Sequence, residues 1–236
     1  MNLRLPASCY RQFDADHARE VPAEGYGGWH RVDVDLDPGR TGVVVMHAWD
    51  AGTRELYPGW YRAVEYIPRA NRIASTVFPP LLSAVRRSGI PLFHVVGGGG
   101  YYTDCPGYRR AKELAGVEPD VERIPTDPSL ERLQELRSRH VFVGEHNRAD
   151  VDAGFRGIGF HPAARPVGDE GVAESAAQLF ALCRAAGVNH LIYAGFALNW
   201  CLLMSAGGML DMSRRGVLCS AFRQAVTAVE NRESAR

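Results

Sequence analysis

Lysine is almost absent from this chain. Lys112 is the only one in 236 residues, so arginine carries nearly all the positive charge that balances 27 acidic side chains. That even balance gives no broad field to hold nucleic acid or an anionic membrane surface, and neither is expected as a partner. Apolar runs of membrane-spanning length are missing, as is a cleavable leader pattern, so a cytoplasmic protein is expected. The five cysteines, Cys9, Cys105, Cys183, Cys201 and Cys219, include no CxxC pair and no zinc-type spacing. Their odd number argues against a disulfide framework and for a reducing compartment. Gly97–Gly100 has no G-x-x-x-x-G-K pattern around it and reads as a turn, not a phosphate cradle. No linker divides the chain. A polar, irregular arm over residues 1–40 is expected to precede a single domain over 41–236.

What is present alternates between strand and helix signals. Thr41–Met46 (TGVVVM) is a continuous β-branched run, as expected of a parallel strand covered on both faces. Thr76–Arg87 reads as a helix with Pro79 and Pro80 in its first turn, where missing N–H groups cost little. Ile90–Val96 is a second strand, Leu130–Ser138 a helix, and His140–Gly144 a third strand ending at Glu145. Arg148–Gly168 reads as loop, and Glu170–Ala186 as an amphipathic helix stopped by Gly187. His190–Ala194 and Val217–Phe222 supply the fourth and fifth strands. Such alternation predicts a doubly wound parallel α/β sheet with helices on both faces. Ligands of such sheets sit outside the carboxyl ends of the strands. That edge collects His47, Trp49 and Asp50, the turn after His94, Glu145 and His146, and Asn199–Cys201.

Between the fourth strand and a helix expected over Trp200–Met212, Asn199 is a suitable N-cap and Cys201 falls in the first turn. Free backbone N–H groups there favour an anion and could supply an oxyanion hole, from Trp200 and Cys201. The stretch Gly195-Phe-Ala-Leu-Asn-Trp-Cys201 resembles the nucleophile segment of the isochorismatase-like cysteine hydrolases, roughly G-x-A-T-N-x-C. The resemblance runs loosely from Thr41 to Glu230. It implies strand order 3-2-1-4-5, a cis peptide at Phe196–Ala197, and one more helix following the polar stretch that opens at Ala225. It also implies a thiolate that attacks an amide or ester carbonyl, aided by an Asp after the first strand and a Lys after the third. In this sequence His47 and Glu145 stand at those two places.

The replacement leaves three readings open. A histidine can activate a thiol, so Cys201 is the candidate nucleophile, His47 the base and Glu145 the group that orients the ring. The substrate is then a small amide, ureide or ester and no cofactor is required. Trp49, Asp50, His94, His146, Phe155, Phe196, Ala197, Asn199 and Trp200 are the candidate substrate-binding residues. Arg148 and Arg156 leave an acidic substrate open. Alternatively, His47, His94, Glu145 and Cys201 form a mixed N/O/S metal site. In the third reading the site is silent and the fold binds or assembles. Tyr57, Trp60 and Tyr61, with the rings of the arm, are more apolar surface than a monomer comfortably exposes, so a homo-oligomer is expected.

Overall fold

The computed structural model of the protein describes residues 3–12, 18–120, 122–231 and 233. The chain divides into two compact units, Met1–Thr41 and Gly42–Arg236. The first was expected to be irregular. Instead β1 (Leu3–Arg11) and β2 (Gly28–Leu36) pair as antiparallel strands, with Leu3 opposite Leu36, Leu5 opposite Val34 and Ala7 opposite Val32. Residues opposite one another share a face, so these apolar pairs line one side of the hairpin. The pairs Arg4/Asp35 and Ser8/Arg31 line the other. Tyr10 packs edge-on against Trp29 at 5.4 Å between ring centroids. The alternation Val32-Asp-Val-Asp-Leu36 carries this strand in plain view.

The second unit runs β3 (Thr41–Met46), β4 (Trp49–Asp50), α1 (Pro58–Ala63), α2 (Ile67–Thr76), α3 (Phe78–Ser88), β5 (Leu92–Val95), α4 (Pro106–Ala115) and α5 (Pro128–His140). It continues with α6 (Arg148–Arg156), β6 (Gly159–Phe160), β7 (Gly171–Ala173), α7 (Ala176–Ala186), β8 (His190–Phe196), α8 (Met209–Arg214) and β9 (Leu218–Thr227). Five strands form the central sheet in the order β7-β5-β3-β8-β9, which is 3-2-1-4-5 when its strands are numbered along the chain. Pairings β3–β5, β5–β7 and β8–β9 are parallel. Every residue of β3 is buried. Val43 and Val45 pack with Trp60, Ile67, Phe78 and Leu82 of α1–α3. Val44 and Met46 pack with Ala111, Leu179, Leu182 and Met212 of α4, α7 and α8. Helices therefore cover both faces, and the unbroken apolar run of β3 follows from that double burial. The expected doubly wound α/β architecture is the one the chain adopts.

Three local expectations are corrected. The third strand is Gly171–Ala173 and not residues 140–144. Val141 is 71% exposed, and Phe142 packs edge-on against Trp200 at 5.3 Å and not against a sheet neighbour. Second, Arg148–Arg156 is helical, not loop. Third, the helix expected over 200–212 is interrupted. A helical turn with π-type hydrogen bonding spans Leu198–Leu202, and α8 starts afresh with Gly208 as its N-cap. Gly208 is forced by space: a Cβ there would lie 2.8–3.0 Å from the carbonyl oxygens of Ser205, Cys201 and Leu202. Among the described residues, no helix is long and apolar enough to cross a membrane.

Candidate active site

The site begins where β3 ends. The His47 N–H continues the parallel ladder to the Val95 carbonyl at 3.0 Å, and then the chain turns at φ +50°, a conformation His tolerates better than most side chains. Beside it, β8 reaches its last residues. Gly195 has φ +127°, and a Cβ on it would sit 1.9 Å from the Met46 carbonyl oxygen. Only glycine permits that approach. It is what sets the ends of β3 and β8 side by side, and with them His47 and the turn bearing Cys201.

His47 and Cys201 line one cavity of about 180 Å³. Trp49, Phe155, Phe196 and Trp200, all candidates from the sequence, line it too. Each ring is fixed by a neighbour. Trp49 stacks on His47 with centroids 4.6 Å apart, and its Nε1–H donates to the Tyr101 hydroxyl at 2.9 Å. Phe155 packs against Trp49 at 5.6 Å and Trp60 at 5.0 Å. Phe196 stacks on Phe78. Trp60 lies so close to α6 that a Cβ on Gly154 would be 2.0 Å from its ring, and the Gly59 N–H clamps α1 to Asp150 Oδ2 at 2.6 Å.

Burial lowers the His47 pKa to about 4, with a hydrogen bond to the Val96 backbone working the other way, so the ring is neutral at pH 7. Its Nδ1 is buried and has no hydrogen-bond partner among the described residues. A shielded, unsatisfied acceptor or donor costs on the order of 1–3 kcal/mol, and native structures keep few of them. It is also not hydrogen-bonded to Cys201, so the dyad is open as it stands. The Trp200 N–H, expected in an oxyanion hole, already donates to the Ala197 carbonyl at 3.2 Å, and the Leu202 N–H shares that acceptor at 3.1 Å.

Other candidates lie elsewhere. Glu145 is half exposed, 3.5 Å from His146 and 3.9 Å from Arg139, and it accepts no hydrogen bond from Nδ1 of His47. His146 is almost fully exposed. Asp50 accepts the Gly52 N–H at 3.0 Å in a local turn and is exposed. Asn199 is not the cap of its turn, a position Ala197 holds. Its side chain instead exchanges two hydrogen bonds with the Val229 backbone, at 2.8 and 2.9 Å. His94 is fully buried against Glu170 at 2.9 Å, beside a separate space of about 10 Å³, roughly one water in size. Burial lowers the His94 pKa. Burial works to raise that of Glu170, but hydrogen bonds from His94 and Arg86 win and hold it at about 2. His94 and Glu145 thus serve other partners, and among the described residues no three His, Cys, Asp or Glu side chains cluster closely enough for a metal ion. The mixed metal site is not assembled.

Sequence reasoning missed residues that α2 brings to the cavity. Tyr66, Ile67, Ala70 and Asn71 all line it. Burial pushes the Tyr66 phenol well above its usual range, and charge interaction with Cys201 pushes the same way. The Asn71 amide donates to the Tyr61 hydroxyl at 3.2 Å. Ile67, Ala70 and Ala74 at helical spacing mark this buried face, and that signal was readable.

No protein-family model matches the sequence, and no curated protein matches it. Among solved structures, the chain is similar to a cysteine hydrolase from Pseudomonas syringae pv. phaseolicola 1448A, at 16% identity and a TM-score of 0.41 over 84% of this chain and 77% of that one. It is also similar to an isochorismatase family protein from Desulfovibrio vulgaris subsp. vulgaris str. Hildenborough, at 15% identity and a TM-score of 0.43 over 80% and 83% of the two chains.

Proposed function

We propose that the protein is a cysteine hydrolase of a small amide, ureide or ester, with Cys201 as nucleophile and His47 as its base. The observation that carries this reading is that a thiol and a neutral imidazole line the same largely apolar cavity. The likeness of residues 195–201 to the nucleophile segment of the isochorismatase-like hydrolases supports it. In this mechanism the Cys201 sulfur attacks the substrate carbonyl while its proton passes to Nδ1 of His47. The ring then returns that proton to the leaving amine or alkoxide, and water, deprotonated by the same nitrogen, cleaves the thioester. A ring whose pKa is held near 4 is a weak base at rest, so proton transfer accompanies attack and does not precede it. Glu145 takes no part, and the Val96 hydrogen bond is what orients the imidazole.

One observation favours a silent, ligand-binding protein instead: among the described residues, none that lines the cavity is Asp, Glu, Lys or Arg. Alkylation separates the two. Iodoacetamide labelling with peptide mapping between pH 6 and 9 should find Cys201 the fastest of the five thiols, and His47→Asn should move its labelling to higher pH. Faster labelling of Cys9 or Cys105, with no effect of His47→Asn, would favour the silent protein.

A further inference from the structure

β1 and β2 form a sheet of only two strands, and a two-stranded sheet by itself is marginally stable in water. Its two edges are not equivalent. Pro6 has no N–H and stands opposite Asp33, so that pair falls where β1 and β2 exchange no hydrogen bonds. The outer edge of β1 therefore presents a proline, which cannot donate to a further strand. The register runs on without a shift. By the alternation of an antiparallel pair, Arg31, Asp33 and Asp35 turn their peptide N–H and C=O groups away from β1. β2 carries no proline over its nine residues, and among the described residues no other strand pairs with its outer edge.

The sequence of that edge is complementary to itself. Laid antiparallel on a second copy with full overlap, Gly28-Trp-His-Arg-Val-Asp-Val-Asp-Leu36 sets Val32 opposite Val32 and Arg31 opposite Asp33, twice over. Residues 31 and 33 then meet as hydrogen-bonded pairs, as their outward peptide groups require. Shifting the register by two residues either way sets Arg31 against Arg31 or Asp33 against Asp33. An in-register parallel pairing also brings like charges side by side. Charge and hydrogen-bond phase together select one register. It also covers Val32, now 44% exposed, at the centre of an apolar face that runs from Ala7 and Val32 of one copy to those of the other. Arg4 reaches Asp33 at 3.4 Å within the chain, but both are exposed and the pair holds Asp33 only weakly. We propose that β2 pairs edge to edge with β2 of a second copy across a twofold axis, making a four-stranded sheet β1-β2-β2-β1. This surface is independent of the chemistry at Cys201.

Sedimentation equilibrium of the full chain measures the association. Arg31→Asp and Asp33→Arg should each weaken it by at least about tenfold, because each sets like charges opposite one another at both symmetric places. The double exchange should bring it back to within about threefold of the unmodified protein. A cross-link supplies a second test that needs no charge variant. Val32→Cys in a Cys9→Ser background should give covalent dimers on mild oxidation, since facing residues of a non-hydrogen-bonded pair have Cα atoms about 4.5 Å apart. Ala7→Cys in the same background, one strand further from the axis, should give none. Peptide mapping should find the disulfide between the two introduced thiols. A monomeric unmodified protein, association unchanged by both charge variants, or no cross-link at Val32→Cys would overturn the pairing. So would a loss that the double exchange, folded by circular dichroism, does not recover. A disulfide from Val32→Cys to a native cysteine would put another segment on this edge and overturn it equally.

Discussion

Replacing His47 with Asn removes a titrating ring that folding forces into an apolar cavity, and the consequence is a change in how stability responds to acid. In the unfolded chain the ring protonates near pH 6.5, whereas in the folded chain burial delays this to about 4. Between those values the unfolded state binds more protons, so stability must fall as pH falls. The gap, at about 1.36 kcal/mol per pH unit, comes to on the order of 3 kcal/mol once pH reaches 4. Asn suits the position because, like His, it tolerates the positive φ of residue 47. His94 and Glu170 also titrate on the acid side, but they do so in both proteins and cancel in the difference. Urea denaturation at pH 7.5 and 4.5 gives the comparison. The unmodified protein should lose about 2–3 kcal/mol more than His47→Asn over that interval. Stability curves that run parallel to within about 0.5 kcal/mol would refute the burial of an uncharged His47 in this cavity.

Gly195→Ala should cost at least about 3 kcal/mol, or abolish soluble expression, because its Cβ would overlap the Met46 carbonyl; thermal unfolding near the unmodified midpoint would contradict the close approach of β3 and β8. Glu170→Gln should cost about 2–3 kcal/mol by loosening a carboxylate that bonds Arg86 at 2.6 and 3.0 Å, His94 at 2.9 Å and the Val167 N–H at 3.0 Å. Denaturant titration checks this, and a loss under about 0.5 kcal/mol would mean the network is decorative. Light scattering at micromolar concentration should give a mass above the 25.9 kDa of one chain, since the hairpin leaves Trp29 67% and Val32 44% exposed. A monomer mass would leave those side chains unexplained.

Where burial on both faces dictates the residues, the fold could be read directly. Val43–Met46 and Leu191–Ala194 are buried and almost wholly apolar, and both belong to central strands. The third strand could not be read the same way, because Gly171–Ala173 is three small residues with no pattern to detect, while Val141–Val143 carries strand propensity without a partner sheet. The same distinction governs the site. His47, Trp49, Phe155, Phe196, Trp200 and Cys201 meet in the cavity because most sit at strand ends, where topology gathers them. Tyr66 is the N-cap of α2 and Asn71 lies within it, and no local chemistry sets them apart from ordinary helix residues. Glu145 was placed by its distance from a strand that does not form.

The most direct measurement is the mass of the Cys201 peptide after brief mixing with a neutral single-ring ester such as phenyl acetate. A cysteine hydrolase should carry a transient acetyl group on Cys201 that decays with turnover, forms more slowly in His47→Asn and is absent in Cys201→Ser. Ester cleavage without that adduct, or an acetyl group that accumulates on Cys9 and never reaches Cys201, would contradict Cys201 as the nucleophile.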